Sequence, residues 1–115
     1  MPCGWCVVSD PGRLLELHMA ESDRYEGKPL FEAIVAKCRE LSVSGVTVFR
    51  GLEGYGPTSE MHRARLVGKD QPIIIVIADK AEIVDNAIPA LGDIMGGGLM
   101  AVSEIRMKRV QKGTE

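Results

Sequence analysis

Glycines and basic side chains that follow predicted strands are the residues best suited to binding chemistry. Gly54 and Gly56 open a connection of about sixteen residues, whereas a hairpin needs two to five. Glycines let successive backbone N–H groups turn toward an anion. The same connection carries His62 and Arg63, and Arg50 lies just before it. The pattern predicts an anion-binding loop, and the alternative is a solvated hairpin tip whose glycines serve only the turns.

A second glycine group precedes the last predicted strand. Gly96, Gly97 and Gly98 could let a ligand approach bare backbone, and Arg106 and Lys108 near the end of that strand could neutralise phosphates. The alternative is structural: a helix C-terminus followed by a tight turn. Such a turn needs only one or two of the three glycines, and both interpretations stay open. Each basic residue could equally be a solvated surface charge.

The thiols give a weaker signal. Cys3 and Cys6 have the C-x-x-C spacing of redox sites, but they precede every predicted element, where no helix N-terminus lowers a thiol pKa. Two thiolates are also too few for a structural zinc site. We interpret the pair as incidental or regulatory. Cys38 falls on the apolar stripe of a predicted helix and is predicted to be a core residue.

Size and composition restrict the class of protein. The chain has 115 residues and a formal net charge of −2, which fits one domain without the basic field of a nucleic-acid-binding protein. Its longest apolar run, Ile73–Ala78, is far too short to span a membrane. Three cysteines, an odd number, indicate a reduced, cytoplasmic protein. We predict a flexible tail over residues 1–12, one domain over 13–109 and a C-terminal tail over 110–115.

Hydrophobic periodicity predicts six elements. The first helix is expected to end at a left-handed Gly45, and the second to begin with Asp79 as its cap and Glu82 completing a capping box. The predicted strands are Arg13–Ala20, Val46–Glu53, Pro72–Ala78 and Leu99–Met107, and the predicted helices are Pro29–Ser44 and the segment from Asp79 to the glycines at 96–98. The order β-α-β-β-α-β predicts an α+β, ferredoxin-like fold, a four-stranded antiparallel sheet with both helices on one face.

That topology leaves the second face of the sheet uncovered. The third predicted strand is apolar on both faces, and Phe49 and His18 lie on the face without helices. Another copy of the chain is the simplest cover for such a face, so we predict a homo-oligomer with His18 at an interface.

Three blocks of the sequence resemble domain-of-unknown-function family 190, a PII-like family. They are Glu21–Val35, Gly45–Gly56 with the following Met61-His62-Arg63, and Leu66–Pro72 continuing into the isoleucine strand. The resemblance covers about Arg13 to Met107, so the tail that carries Cys3 and Cys6 lies outside it.

The resemblance implies a ferredoxin-like homotrimer related to PII signalling proteins. Those proteins bind adenine nucleotides in clefts between subunits and signal through a long loop between strands two and three. Their Gly-aromatic-Gly turn resembles Gly54-Tyr55-Gly56, and their glycine turn and basic last strand resemble Gly96 to Gly98 and Arg106 with Lys108. Here the loop is shorter and has no tyrosine near its tip for uridylylation.

The implied mechanism is therefore binding, without catalysis or a cofactor. Arg106 is expected close to the glycine turn of its own chain and to the loop root of a neighbour, and the partner is expected to be a membrane transporter or channel. The alternatives are a metal-binding trimer resembling the divalent-cation-tolerance proteins, with Cys3, Cys6 and His62 as ligands, and a thiol redox protein that uses the N-terminal tail.

Overall fold

Six principal elements form the predicted ferredoxin-like arrangement. The computed structural model describes residues 10–52, 70–108 and 110. In chain order the elements are β1 (Asp10–Ala20), β2 (Arg24–Tyr25), β3 (Lys28–Pro29), α1 (Leu30–Glu40), β4 (Val46–Arg50), β5 (Pro72–Lys80), α2 (Ala81–Met95) and β6 (Leu99–Met107). Four of the strands form an antiparallel sheet in the order β4-β5-β1-β6. The two-residue strands β2 and β3 form a small hairpin between β1 and α1, where the sequence pattern predicts no element.

The core lies between the two helices and one face of the sheet. Alternate residues of β1 and β5 point into it because successive strand side chains point to opposite faces, and each helix contributes one apolar stripe. The buried apolar residues are Leu15, Leu17, Met19, Leu30, Ile34, Cys38, Ile73, Ile75, Ile77, Val84, Ala87 and Leu91. The predicted strand alternation and helix stripes are thus confirmed.

Strand pairing extends two strands beyond their predicted limits. β1 begins at Asp10 because Asp10 and Pro11 pair with Met107 and Arg106 of β6, so residues that we placed in the N-terminal tail belong to the sheet. β5 continues to Lys80, which pairs with Gly12. β4, in contrast, ends at Arg50, before the predicted limit.

The end of α1 differs from the prediction. The helix stops at Glu40, and the left-handed residue is Ser42, with φ 64°, whereas Gly45 is not among the glycines with positive φ. The Val43 N–H donates to the Cys38 carbonyl at 3.1 Å, and the Ser42 N–H donates to the Arg39 carbonyl at 3.2 Å. This pair of bonds is a Schellman motif, which ends the helix early enough for Val43 to pack on the core.

Ser42→Gly is expected to stabilise the protein by about 0.5–1 kcal/mol. A left-handed backbone costs an L-residue about 1–2 kcal/mol, part of which the greater freedom of glycine in the unfolded chain cancels. Urea unfolding at one protein concentration measures the difference. The control is the same substitution two residues on, Ser44→Gly, which relieves no positive φ and should destabilise. A loss of stability in Ser42→Gly would contradict the assignment of strain to Ser42.

Asp79 does not cap the second helix. The residue before α2 is Lys80, and no side chain bonds to the cap, so the predicted capping box is wrong. Asp79 is the last inward-facing residue of β5 and is only 1% exposed. Its carboxylate accepts hydrogen bonds from the Ser44 N–H at 2.7 Å and the Lys80 N–H at 2.8 Å. The side chain thereby ties the connection before β4 to the end of β5.

Candidate functional site

Arg50, the last residue of β4, is held by an acidic side chain from the end of β1. Its Nη2 lies 2.8 Å from Oε2 of Glu21, the first residue after β1. The next residue, Gly51, donates its N–H to the Pro72 carbonyl at 2.7 Å. Arg50 was predicted to contact an anion, and the structure shows that its charge is already paired with a carboxylate.

The turn formed by Glu21 and Ser22 also holds the start of β5. The Glu21 N–H donates to the Gln71 carbonyl at 2.9 Å. The Ser22 N–H and Oγ–H donate to the two carboxylate oxygens of Asp70, each at 2.9 Å. The turn therefore contacts both ends of the connection between β4 and β5.

Sequence reasoning missed this role of Glu21, although a signal for it exists. In the ferredoxin-like strand order, the ends of the first and second principal strands lie on either side of the start of the third. Glu21 directly follows β1 and Arg50 ends β4, so an acidic and a basic residue occupy these two positions. Their spacing in the sequence gives no hint of a contact, since the pairing depends on the sheet order.

Two of the three consecutive glycines are required by the backbone. Gly96 closes α2 in a left-handed conformation, with φ 68° and its N–H on the Gly92 carbonyl. Gly98 has φ 100°, and a Cβ there would lie 2.7 Å from the carbonyl oxygen of His18. The fold therefore accounts for Gly98, which we had predicted to bind a ligand, and Gly97 is the better candidate for contact with one.

Arg106 and Lys108 lie at the far end of β6 from the glycine turn. Leu99 pairs with His18 at the end of β1, whereas Arg106 pairs with Pro11 near its beginning. Gly98 and Arg106 are separated by eight residues, roughly 26 Å along a strand. The expectation that Arg106 lies beside the glycine turn of its own chain is therefore wrong. Both basic residues are exposed.

Arg50 is at the same end of the sheet as the glycine turn. It pairs with Ile73, which pairs in turn with Met19 near the end of β1. One chain therefore divides the predicted ligand residues between two ends of its sheet, with Arg50 and Gly97 at one end and Arg106 and Lys108 at the other.

Several predicted site residues lie outside the described residues. These are Gly54, Gly56, His62 and Arg63 of the β4–β5 connection, and Cys3 and Cys6 of the N-terminal segment. Among the residues that are described, no group of three or more His, Cys, Asp or Glu could hold a metal ion. Burial raises the pKa of the Cys38 thiol to about 11, so it is protonated at neutral pH, as expected of a core residue.

Among the residues that the structure describes, two apolar surfaces are exposed to solvent. The first is the face of the sheet without helices, where Phe49, Ile74, His18 and Leu99 form one row across the four strands. Phe49 and Leu99 are 52% and 48% exposed, and His18 Nε2 lies 3.4 Å from Glu16 Oε1 on the same strand. We call this surface the open face.

The second apolar surface is a groove of about 560 Å³ between α1 and the edge strand β4. It is lined by Phe31, Glu32, Val35, Ala36, Arg39, Glu40 and Val48. The groove contains none of the predicted ligand residues, so it is not the candidate anion site. None of the helices within residues 10–52 and 70–108 is long and apolar enough to cross a membrane.

The strand order, the two helices on one face and the long β4–β5 connection define a ferredoxin-like fold. The chain belongs to the DUF190 family (Uncharacterized ACR), whose model matches residues 12–107. It is 28% identical to a UPF0166 protein of Aquifex aeolicus over 83% of this chain and 91% of that protein. It is 27% identical to a UPF0166 protein of Methanocaldococcus jannaschii over 80% and 87% of the two chains.

The solved structures that share the fold include two that cover about nine-tenths of this chain. One is CPII of Thiomonas intermedia K12, solved bound to ADP, AMP and acetate, with a TM-score of 0.65 and 18% identity over 90% of this chain and 94% of CPII. The other is a protein of Thermus thermophilus described as PII-like and signalling, with a TM-score of 0.61 and 18% identity over 89% and 94% of the two chains. The predicted family and fold are thus confirmed.

Proposed function

We propose that this protein is a PII-like regulator that binds an adenine nucleotide, or another small phosphate-bearing anion, in clefts between identical subunits. The observation that carries the proposal is the placement of the basic residues. Arg106 and Lys108 cannot reach the end of their own sheet where Arg50 and Gly97 lie. A complete site therefore needs a second copy of the chain, whose Arg106 and Lys108 face the end of the first copy's sheet that carries Arg50 and Gly97. We call this the glycine end of the sheet. The ligands of CPII, ADP and AMP, support the class of ligand.

A homotrimer is the assembly that we propose. The open face exposes the apolar side chains of Phe49 and Leu99. Both edge strands of the sheet, β4 and β6, lack a strand partner on their outer sides within the described part of the chain. Contacts that join one end of a subunit to the opposite end of the next subunit form a ring when the rotation between subunits closes. Such an assembly would cover apolar surface and would also bring the basic residues of one subunit to the glycine end of the next.

The action that we propose is binding without catalysis, in the cytoplasm. Backbone amides near Gly54, Gly56 and Gly97 and the side chains of His62 and Arg63 would complete the phosphate site around Arg50 and the neighbour's basic residues. Ligand binding would change the conformation that the β4–β5 connection presents to a membrane transporter or channel. The ligand produces this change only by binding one conformation better than the other.

Calorimetry with ADP tests the composite site. Arg106→Ala is expected to weaken ADP binding at least tenfold, because a guanidinium makes two charge-assisted bonds to a phosphate that alanine cannot replace. Gly97→Val is expected to weaken it from the other side of the cleft, by placing a branched side chain against the ligand. Both variants should keep the wild-type oligomeric mass in sedimentation.

Mixing the two variants separates a site between subunits from a site within one. If Arg106 and Gly97 act from different chains, an intact cleft needs Arg106 from a Gly97→Val chain and Gly97 from an Arg106→Ala chain. Each condition is met in half of the clefts after an equal mixture is refolded, so about a quarter of the sites should regain wild-type affinity. A site within one chain restores none. If ADP does not bind the wild-type protein at millimolar concentration, the nucleotide proposal is wrong.

A further inference from the structure

Glu21 is paired with the cationic side chain that the proposed function assigns to the anion at the glycine end of the sheet. We propose that Glu21 is a built-in competitor for that anion: it holds Arg50 in the ligand-free protein and releases it to phosphate. The inference rests on the proposed function, since it assigns the regulation of the same site. Its basis is the 2.8 Å contact between Arg50 Nη2 and Glu21 Oε2.

The backbone fixes the position of the competing carboxylate. The Glu21 N–H donates to the Gln71 carbonyl at 2.9 Å, and the next residue, Ser22, makes two bonds of 2.9 Å to Asp70. Oε1 of Glu21 also lies 3.5 Å from the Gln71 backbone nitrogen. Because the residue that bears it is anchored, the carboxylate stays beside the guanidinium and can recapture it whenever the anion leaves.

The contact is weak enough for a phosphate to displace it. The side chains of Arg50 and Glu21 are 52% and 32% exposed, and water screens ion pairs at such positions. A guanidinium has five N–H donors, of which Glu21 engages one. A phosphate can accept two parallel charge-assisted bonds, so replacement of Glu21 by phosphate at the Arg50 guanidinium is favourable. Competition from Glu21 still lowers the affinity of the site for the phosphate.

The test is a thermodynamic cycle with two probes, ADP and inorganic pyrophosphate, measured by calorimetry. Glu21→Gln removes the carboxylate charge and is expected to tighten binding about two- to fivefold, the range that a half-exposed ion pair is worth. Arg50→Ala should weaken binding about tenfold. In the Arg50→Ala background, Glu21→Gln should have no effect on affinity. The matched control is Glu26→Gln, a charge removal at an exposed residue of the nearby hairpin turn, which should leave the affinity unchanged.

Each outcome decides between the competitor role and the wider function. If Arg50→Ala weakens ADP binding but Glu21→Gln fails to tighten it, the competitor role is wrong and the nucleotide function stands. Equal tightening by Glu21→Gln with and without Arg50 would also overturn the competitor role, because it would show only long-range charge repulsion. If ADP does not bind but pyrophosphate shows the full cycle, the competitor role stands and the nucleotide function fails. If neither probe binds the wild-type protein, both proposals are wrong.

Glu21→Asp provides a second variant should Glu21→Gln unfold. It keeps the charge but shortens the side chain by one methylene, so the carboxylate retreats from Arg50. We expect it to tighten pyrophosphate binding as well, whereas a role for Glu21 in orienting Arg50 predicts weaker binding. Circular dichroism of each variant confirms that the fold is intact before binding is compared.

Discussion

Gly98→Ala is expected to lower the free energy of unfolding by about 3 kcal/mol or more. Gly98 has a φ of 100°, and such a conformation costs an L-residue about 1–3 kcal/mol. The new Cβ would also lie 2.7 Å from the His18 carbonyl oxygen, a backbone atom of the central strand β1 that can move only by disturbing the sheet. Urea unfolding at a fixed protein concentration measures the loss, because the stability of an oligomer depends on concentration.

Gly96→Ala is the matched control for Gly98→Ala. Gly96 also has a positive φ, 68°, but a Cβ there meets no atom within 4 Å among the described residues. Only the left-handed conformation is then penalised, at about 1 kcal/mol. Equal losses in the two variants would show that the contact with His18 contributes nothing. Because a side chain at Gly98 is expected to destabilise the fold, reduced ligand binding in a Gly98 variant would not identify it as a ligand residue.

Asp79→Ala is expected to destabilise the protein by about 3 kcal/mol. The carboxylate is almost fully buried and accepts hydrogen bonds from the backbone N–H groups of Ser44 and Lys80. Hydrogen bonds to a charged group contribute about 1.5–3 kcal/mol each, and a buried donor without an acceptor carries a desolvation cost. Thermal and urea unfolding report the change.

Asp79→Asn is the control that keeps the shape and one acceptor oxygen while it removes the charge. It should lose less stability than Asp79→Ala. A loss below about 1 kcal/mol in Asp79→Ala would mean that water replaces the carboxylate at both N–H groups, and the tie between β5 and the connection before β4 would then be unimportant for stability.

Much of the fold follows from local patterns. Leu15, Leu17 and Met19 alternate with Glu16 and His18, which determines both a strand and its inward face. The stripe of Leu30, Ile34 and Cys38 determines a helix and the side that it buries. These patterns are local because a strand repeats every two residues and a helix every 3.6.

Element ends were harder to predict because they depend on partners in the fold. β1 starts at Asp10 only because β6 is long enough to pair with it. Asp79 resembles a helix cap in the sequence. The alternation of side chains along β5 points it inward instead, where it accepts a hydrogen bond from the Ser44 N–H. Ser42 takes the left-handed position that glycine usually occupies, since the packing of Val43 sets where α1 must stop.

The sequence by itself determined the ferredoxin-like order of elements, the apolar open face and the types of residue that could bind an anion. The predicted strand over Leu99–Met107 also implied that Arg106 lies far from Gly98, because the two residues are at opposite ends of that strand. Only the tertiary structure decided which residues share an end of the sheet and that Glu21 pairs with Arg50, 29 positions away in the chain. The reason is that strand order and register join residues distant in sequence, and no local periodicity encodes them.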